Sequence, residues 1–575
     1  MQELPSSTPS RPLQVLNISS NLFTGRLPSS TTWEVMVNLV VLNASNNSFT
    51  GQIMDNFCSS SSLLAVVELC YNQFTGIIPP RLGNCSMLRV LKAGHNNLRG
   101  TLPNELFDAS LLEYLSLPGN VLDGVLGAQI IKLRNLVTLD LGGNNFSSKI
   151  PDSIGELERL EELHLDYNNM SGELPSALSN CTNLITINFK SNNLSGKLSK
   201  VNFSTLPRLK TLDVLYNNFN GRVPESLYTC SNLTALRLSG NNLHGQLSPR
   251  IGDLKHLTFL SLAMNSFTNI TNALHILQRC TNLTTLLMGS SFRGELMPED
   301  DFIDGFENLQ ILSLNDCSLL GKIPLWISSL AKLEMLILSG NQLTGSTPAW
   351  IKDLKHLFYL DISNNSLTGE IPTNLMDMQM LQSEKTKGRL DPRVFELPVY
   401  KGRSLQYRII IAFAKVLDLS NNKLTGEIPL EIGRLKSLLS LNLSLNGLRG
   451  QIPISVCNLT NLQVLDFSNN NLTGSIPAAL NSLHFLSAFN ISNNDLEGPI
   501  PSGGQFDTFQ NSSFDGNPKL CGSMVTHKCG PASTRPPTTM ATKQTNYKAA
   551  FAIAFSAFFG VGVLYDQLVL SMFLR

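Results

Sequence analysis

Excess charge of either sign is missing from this 575-residue chain, in which 43 lysines and arginines balance 43 aspartates and glutamates. A balanced surface gives no electrostatic reason to expect nucleic acid as a partner. Catalytic signatures are missing too. The chain contains no phosphate-cradling G-x-x-x-x-G-K, no kinase H-R-D or D-F-G, no zincin H-E-x-x-H and no G-x-S-x-G elbow, so it reads as a non-enzyme without cofactor or metal. Its 8 histidines are scattered. His164 falls at an outward strand position beside Glu162 and Asp166, a trio that any broad polar face assembles without chemistry. Met1 is followed by neither a charged segment nor an apolar run, so no signal peptide is expected.

What the chain does have is one pattern many times over. In Leu357 to Pro372, apolar residues fall at Leu357, Leu360 and Ile362, followed by Asn365, Leu367, Gly369 and the pair Ile371-Pro372. This is a leucine-rich repeat with a period of about 24 residues. The alternation around Leu360 predicts a half-buried strand whose Tyr359, Asp361 and Ser363 point away from the core. Asn365 follows where the chain turns inward, and a buried amide there satisfies backbone groups of neighbouring coils. Gly369 permits a φ-positive turn, and Pro372 starts the return without an amide donor. One coil cannot bury its own leucines, but a stack can. The fold class expected is therefore an α/β-type repeat solenoid with parallel strands on its concave face.

The asparagine column runs from Asn21 through Asn47, Asn72 and onward to Asn265, resumes at Cys317, Asn341 and Asn365, then continues at Asn422, Asn446, Asn470 and Asn494. Between Leu283 and Glu307 the register weakens, and a solvated convex loop is expected. Between Asn365 and Asn422 about 33 extra residues interrupt one coil. This island carries Lys385, Lys387, Arg389, Arg393, Lys401, Arg403 and Arg408 against Glu384, Asp391 and Glu396, a local cationic element in a neutral protein. The alternative is a solvated spacer.

Compartment is read from cysteines and glycan acceptors. Cys85, Cys181, Cys230 and Cys280 each lie three residues before a repeat's first leucine and share one column. Members two coils apart are about 10 Å apart, beyond a disulfide's reach of about 7 Å, so all four are expected to be small buried apolar residues. Cys521 and Cys529, close together after the last repeat, are expected to form a capping disulfide in an oxidising compartment. Asn-X-Ser/Thr acceptors at Asn17, Asn84, Asn145, Asn180, Asn202, Asn232, Asn282, Asn442, Asn458 and Asn511 favour a secreted route. Several, like those at Asn193 and Asn471, also belong to the repeat consensus itself.

The domain map expected is a truncated N-terminal segment (1–12), repeats (13–378), the island (379–413), repeats (414–501), a cap (502–530) covered by Phe506, Phe509 and Phe514, a juxtamembrane spacer (531–548) and a transmembrane helix (549–574). The last segment is long and apolar enough to span a lipid bilayer, with Asp566 and Gln567 as its only interruption. Ala552, Ser556 and Gly560 put small side chains on one face of it, suited to close approach by a partner helix. The location expected is the plasma membrane, single-pass, with the repeats outside and the signal peptide missing.

The L-x-G-x-I-P repeats resemble the plant-specific extracellular leucine-rich-repeat class. The island with F-E-L-P-V-Y and L-Q-Y-R, the closing G-N-P-K-L-C-G and the end G-V-G-V-L-Y-D-Q-L-V-L-S resemble receptor-like proteins close to the tyrosine-sulfated peptide and phytosulfokine receptors. The resemblance implies that the island holds a secreted peptide, tyrosine-sulfated in the finer reading, against the concave face, and that signalling runs through a partner receptor kinase acting as co-receptor or adapter. The residues expected to bind are Arg389, Arg393, Arg403 and Arg408 on the island, with Phe358, Tyr359 and Asp361 on the adjacent coil. The alternatives are a defence receptor for a microbial ligand, a ligand-sequestering decoy, or an enzyme inhibitor of the secreted type.

Overall fold

The computed structural model describes residues 13–27, 36–55, 57–299, 303–382, 415–525, 527 and 529. Segments 1–12, 531–548 and 549–574, with Ala552, Ser556 and Gly560, lie outside the described residues. No helix among the described residues is long and apolar enough to cross a membrane.

Each coil opens with a three-residue strand such as Tyr359–Asp361. These strands stack in parallel as one 19-stranded sheet, with leucine set over leucine: Leu336 beside Leu360, and Leu360 beside Leu417. The inward residues of the repeat, Leu357, Leu360, Ile362 and Leu367, are completely buried. In coils such as Thr138–Asp140 one side of the strand is core and the other half-buried, the division that period-two alternation predicts, but in Phe259–Ser261, Tyr359–Asp361 and Val416–Asp418 both sides are buried. On the opposite side of the coil the chain returns in short 3-10 helices such as Thr373–Asp377, entered from Pro372 in extended conformation, a position that needs no N–H donor. Gly369 turns the corner at φ 84°, where a side chain would be strained.

The asparagine column works as a ladder. Asn365 donates its side-chain amide to the carbonyls of Ile362 and Ser363 in its own coil and of Leu338 in the preceding coil. Its oxygen accepts from the backbone N–H of Leu343. Four backbone groups are satisfied by one side chain, which is why a buried polar residue stabilises this position. Cys317 reproduces part of the pattern, its thiol donating to the carbonyls of Met288 and Asn315. Asn517, inside the closing G-N-P-K-L-C-G, extends the ladder one step past the last repeat.

The cysteine expectation holds in part and fails in part. Cys181, Cys230 and Cys280 are buried, with thiols donating to the carbonyls of Ile154, Phe203 and Ile251. Burial pushes the Cys181 thiol up to about 12 and that of Cys230 up to about 11. Cys85 is different: it is disulfide-bonded to Cys58, with a Cα–Cα distance of 5.2 Å. The distance argument compared cysteines of one column only. Cys58 stands outside that column, on the short helix Phe57–Ser60 of the immediately preceding coil, and adjacent coils are close enough to bridge. Cys521 and Cys529 are also disulfide-bonded.

The cap follows the sequence reading. Phe506, Phe509 and Phe514 gather on Phe489 of the last coil, with ring centroids 5.0, 5.2 and 5.8 Å from it, and Lys519–Cys521 adds a final strand.

Between Leu283 and Glu307 the stack persists where a solvated loop was expected. Thr285–Leu287 is a strand paired on both sides, and Phe292, Met297, Ile303 and Phe306 are buried. The change is local: Ser291 replaces the column asparagine, and Glu295, four positions on, takes the place of the corner glycine, its carbonyl accepting from the Leu320 amide as that of Gly345 accepts from Thr368.

Candidate functional site

The interrupted coil is the place where the repeat departs most from its own rule. Strand Tyr359–Asp361 pairs directly with Val416–Asp418, although more than fifty residues separate them in sequence. On the other face, Thr368–Glu370 pairs with Lys423–Thr425. Asn422 accepts from the N–H of Leu367 and donates to the carbonyl of Ile362 as if no insertion intervened. The chain leaves after the turn of helix Gln379–Gln382, in which Met380 and Leu381 are buried. It returns at Lys415, immediately before a concave strand. Both ends are pinned: Lys415 Nζ donates to the carbonyl of Met380 at 2.7 Å, Gln382 Nε2 to that of Met376 at 2.9 Å, and the Ser437 amide to that of Leu381 at 2.9 Å. Gln382 and Lys415, the described residues on either side of the insertion, are therefore both fixed to the stack. Arg389, Arg393, Arg403 and Arg408 lie outside the described residues.

Of the coil residues expected to bind, Tyr359 and Asp361 occupy the outward positions of their strand, beside Met335 and Ile337 on one side and Val416 and Asp418 on the other. They keep only 5% and 3% of their surface exposed, and Phe358 keeps 5%. Asp361 accepts from the amide and hydroxyl of Ser363, at 3.1 and 2.6 Å, and Asp418 does the same with Ser420.

Along the concave face the chemistry changes. In the earlier coils outward positions hold Thr138, Asp140, Glu162, His164, Thr186 and Asn188, all half-buried. Further on they hold Phe259, Leu287, Ile311, Met335 and Ile337. At the boundary Arg237 pairs with Asp213 at 3.2 Å and lies 4.7 Å from the centre of the Phe259 ring. Phe259, Ile311, Met335, Asp361 and Asp418 are all buried in this part of the sheet.

The His164 trio is assembled, with His164 Nε2 3.0 Å from Glu162 Oε2. Burial works against the charged imidazole, but Glu162, Asp140 and Asp166 outweigh it and raise His164 above its ordinary range. Burial pushes the Asp166 carboxyl up to about 6, with Asp140 and Asp213 adding to the effect and His164 opposing it. Among the described residues no group of three His, Cys, Asp or Glu side chains could hold a metal ion. Sequence reasoning missed a second asparagine ladder. Asn135, Asn183, Asn232, Asn282, Asn308 and Asn461 each donate to a backbone carbonyl of the preceding coil. The signal was available, since each stands one residue before its repeat's first leucine.

Comparison with known proteins agrees with this architecture. A leucine-rich repeat region matches residues 69–230, and leucine-rich repeat models match 307–367, 38–60, 232–254, 414–435 and 461–483. Receptor-like protein 3 of Arabidopsis thaliana is 54% identical over 304 residues, which is 52% of this chain and 40% of that protein. Phytosulfokine receptor 2 of Arabidopsis thaliana is 56% identical over 261 residues, 44% of this chain and 25% of that protein. The chain thus spans less than half the length of these curated relatives. The crystal structure of the Arabidopsis receptor kinase HAESA, in complex with the peptide hormone IDA and the co-receptor SERK1, superposes with a TM-score of 0.61 at 28% identity, covering 88% of this chain and 86% of that one. The repeat pattern, the stack and these matches together place the chain among the leucine-rich-repeat proteins, and it is similar to plant receptor-like proteins and to the phytosulfokine receptors.

Proposed function

We propose that this protein is a cell-surface receptor that binds an extracellular peptide on its concave face, beside the island, and signals through a partner receptor kinase. The observation that supports it is the rooting of the insertion: Gln382 and Lys415 on either side of it are fixed to the stack, and Lys415 immediately precedes a concave strand. HAESA, a similar fold, is seen with a peptide hormone and a co-receptor, and the same two kinds of partner are proposed here. An extended peptide gains main-chain hydrogen bonds and side-chain pockets on such a surface, and guanidinium groups suit an anionic sulfate. Arg389, Arg393, Arg403 and Arg408 are assigned to the sulfate, and Phe358, Tyr359 and Asp361 to the peptide.

The reading continues to the rest of the molecule. The repeats are extracellular and N-glycosylated, Cys521 and Cys529 close the cap on each other, and segment 549–574 anchors the chain in the plasma membrane. Ala552, Ser556 and Gly560 face the transmembrane helix of the partner. The test is binding of a tyrosine-sulfated peptide and its unsulfated form to the secreted repeat region. Arg403→Glu with Arg408→Glu should weaken the sulfated peptide far more than the unsulfated one. Equal weakening of both rejects sulfate recognition, and binding of neither supports the defence or decoy reading.

A further inference from the structure

The irregular coil leaves a space. Ser291 stands where most coils have asparagine and Glu295 where most have the corner glycine; the second row of strands ends at Ser266–Phe267, and a notch of about 530 Å³ opens beside it. Met264, Ser266, Thr268, Ser290, Phe292 and Arg293 line it. The volume lies in the range of small-molecule sites, and the lining mixes apolar faces, hydroxyls and a guanidinium.

At its rim stands Asn269, directly after Thr268 and followed by Ile270 and Thr271, which makes it an N-glycan acceptor sequence. Asn269 occupies the glycine position of its repeat, with φ 66°, a left-handed conformation that asparagine tolerates. It is exposed and held rigidly. Its own amide and that of Ile270 each donate to the Glu295 carboxylate at 2.6 Å. Its side-chain oxygen accepts from the Asn272 amide at 3.1 Å, capping the helix Ile270–Leu277. Glycosylation uses the nitrogen of the amide and leaves that oxygen free, so helix cap and sugar are compatible. Asn232 and Asn282 contrast with it, since their side-chain nitrogens donate to the carbonyls of Pro207 and Lys255 at 2.9 and 2.8 Å.

We propose that Asn269 carries an N-glycan whose first sugars are seated in the notch, packed on the exposed Met264 and hydrogen-bonded by Arg293. This inference rests on the extracellular reading above.

The test uses the full chain, produced behind a secretion leader in plant cells and mapped by glycopeptide mass spectrometry, with endoglycosidase applied to the native protein. Asn269 should be occupied, and its glycan should be trimmed several-fold more slowly than that at Asn180, an exposed acceptor at the end of a 3-10 helix. Arg293→Ala, which leaves the acceptor sequence intact, should raise the trimming rate at Asn269 and not at Asn180. A bare Asn269 with Asn180 occupied overturns the proposal while leaving the extracellular reading standing. Equal trimming at both sites overturns the seating. No glycan on any acceptor overturns both readings.

Discussion

Two coils of this stack break the repeat, and they do so with opposite consequences. The coil at Leu360 gains about thirty-three residues, yet both rows of strands and the asparagine ladder pass across the insertion unchanged. The coil at Leu286 keeps its spacing but has Ser291 in place of the column asparagine and Glu295 in place of the corner glycine; its concave strand stays paired, but the second row is interrupted and a notch appears. Chain length between fixed positions matters less than where the change falls. An insertion made between the convex return and the next strand leaves every ladder position occupied. Substitution at the asparagine and glycine of the corner removes a rung.

The comparison breaks most severely if the ladder is cut at the insertion. Asn422→Ala leaves buried backbone groups of two coils unpaired, and should cost about 3–5 kcal/mol, measured by chemical denaturation, since each orphaned group costs roughly 1–3 kcal/mol. Asn365→Ala should cost as much. A clearly smaller loss at Asn422 would show that the insertion already weakens the joint. Next in size is the covalent tie elsewhere in the stack. Replacing Cys58 and Cys85 together by alanine should destabilise by about 3 kcal/mol, given the loop length it closes. An unchanged denaturation midpoint would mean that the ladder alone holds those coils, as it holds the interrupted one.

The periodicity made most of the stack legible, because every rung is a residue of fixed type at fixed spacing. Asn365, Leu360 and Gly369 do in the fold what their positions imply. The Phe cap was legible for the same reason, as aromatic residues gathered after the last leucine row. The Cys58–Cys85 bridge was not, because Cys58 lies off the repeating column and only coil stacking brings it near. The persistence of the stack through Met288 to Phe306 was also hidden, since Ser291 and Glu295, in place of the asparagine and the glycine, erased the local pattern while the buried Phe292 and Met297 kept the core. Phe358, Tyr359 and Asp361 were placed correctly on the coil beside the insertion, but alternation alone predicted an open face and gave no sign that they would be so deeply withdrawn from solvent.

The uninterrupted coils around His164 supply a control with its own signature. Asp166 has a folded-state carboxyl pushed up to about 6 from an ordinary 3.8. Folding therefore favours its protonated form, and the associated stability is fully present below about pH 4 and lost as pH rises through about 6. Asp166→Asn should be more stable than the parent by roughly 3 kcal/mol at pH 7, with most of the difference gone at pH 4. Glu162, held below its ordinary range by the hydrogen bonds from His164 and Thr186 despite burial, acts with the opposite sign, so the parent alone cannot separate the two. A gain that is the same at both pH values would assign the effect to packing rather than to the proton.

The smallest effect tests the claim that the insertion is neutral to the stack. Replacing residues 383–414 with a flexible linker of about eight residues shortens the excursion roughly fourfold, and closing the shorter loop costs about 1 kcal/mol less. The pinning contacts of Met380, Leu381, Gln382 and Lys415 lie outside the excised stretch and should remain. Denaturation of the excised protein should therefore show equal or slightly higher stability, with an unchanged hydrogen-exchange pattern at Leu360 and Leu417. Peptide binding should be lost at the same time. A stability loss of more than about 1 kcal/mol would mean that the inserted residues add packing worth more than their closure entropy. The insertion would then be part of the solenoid's structure, and the contrast between the two irregular coils would have to be drawn on packing instead of on position.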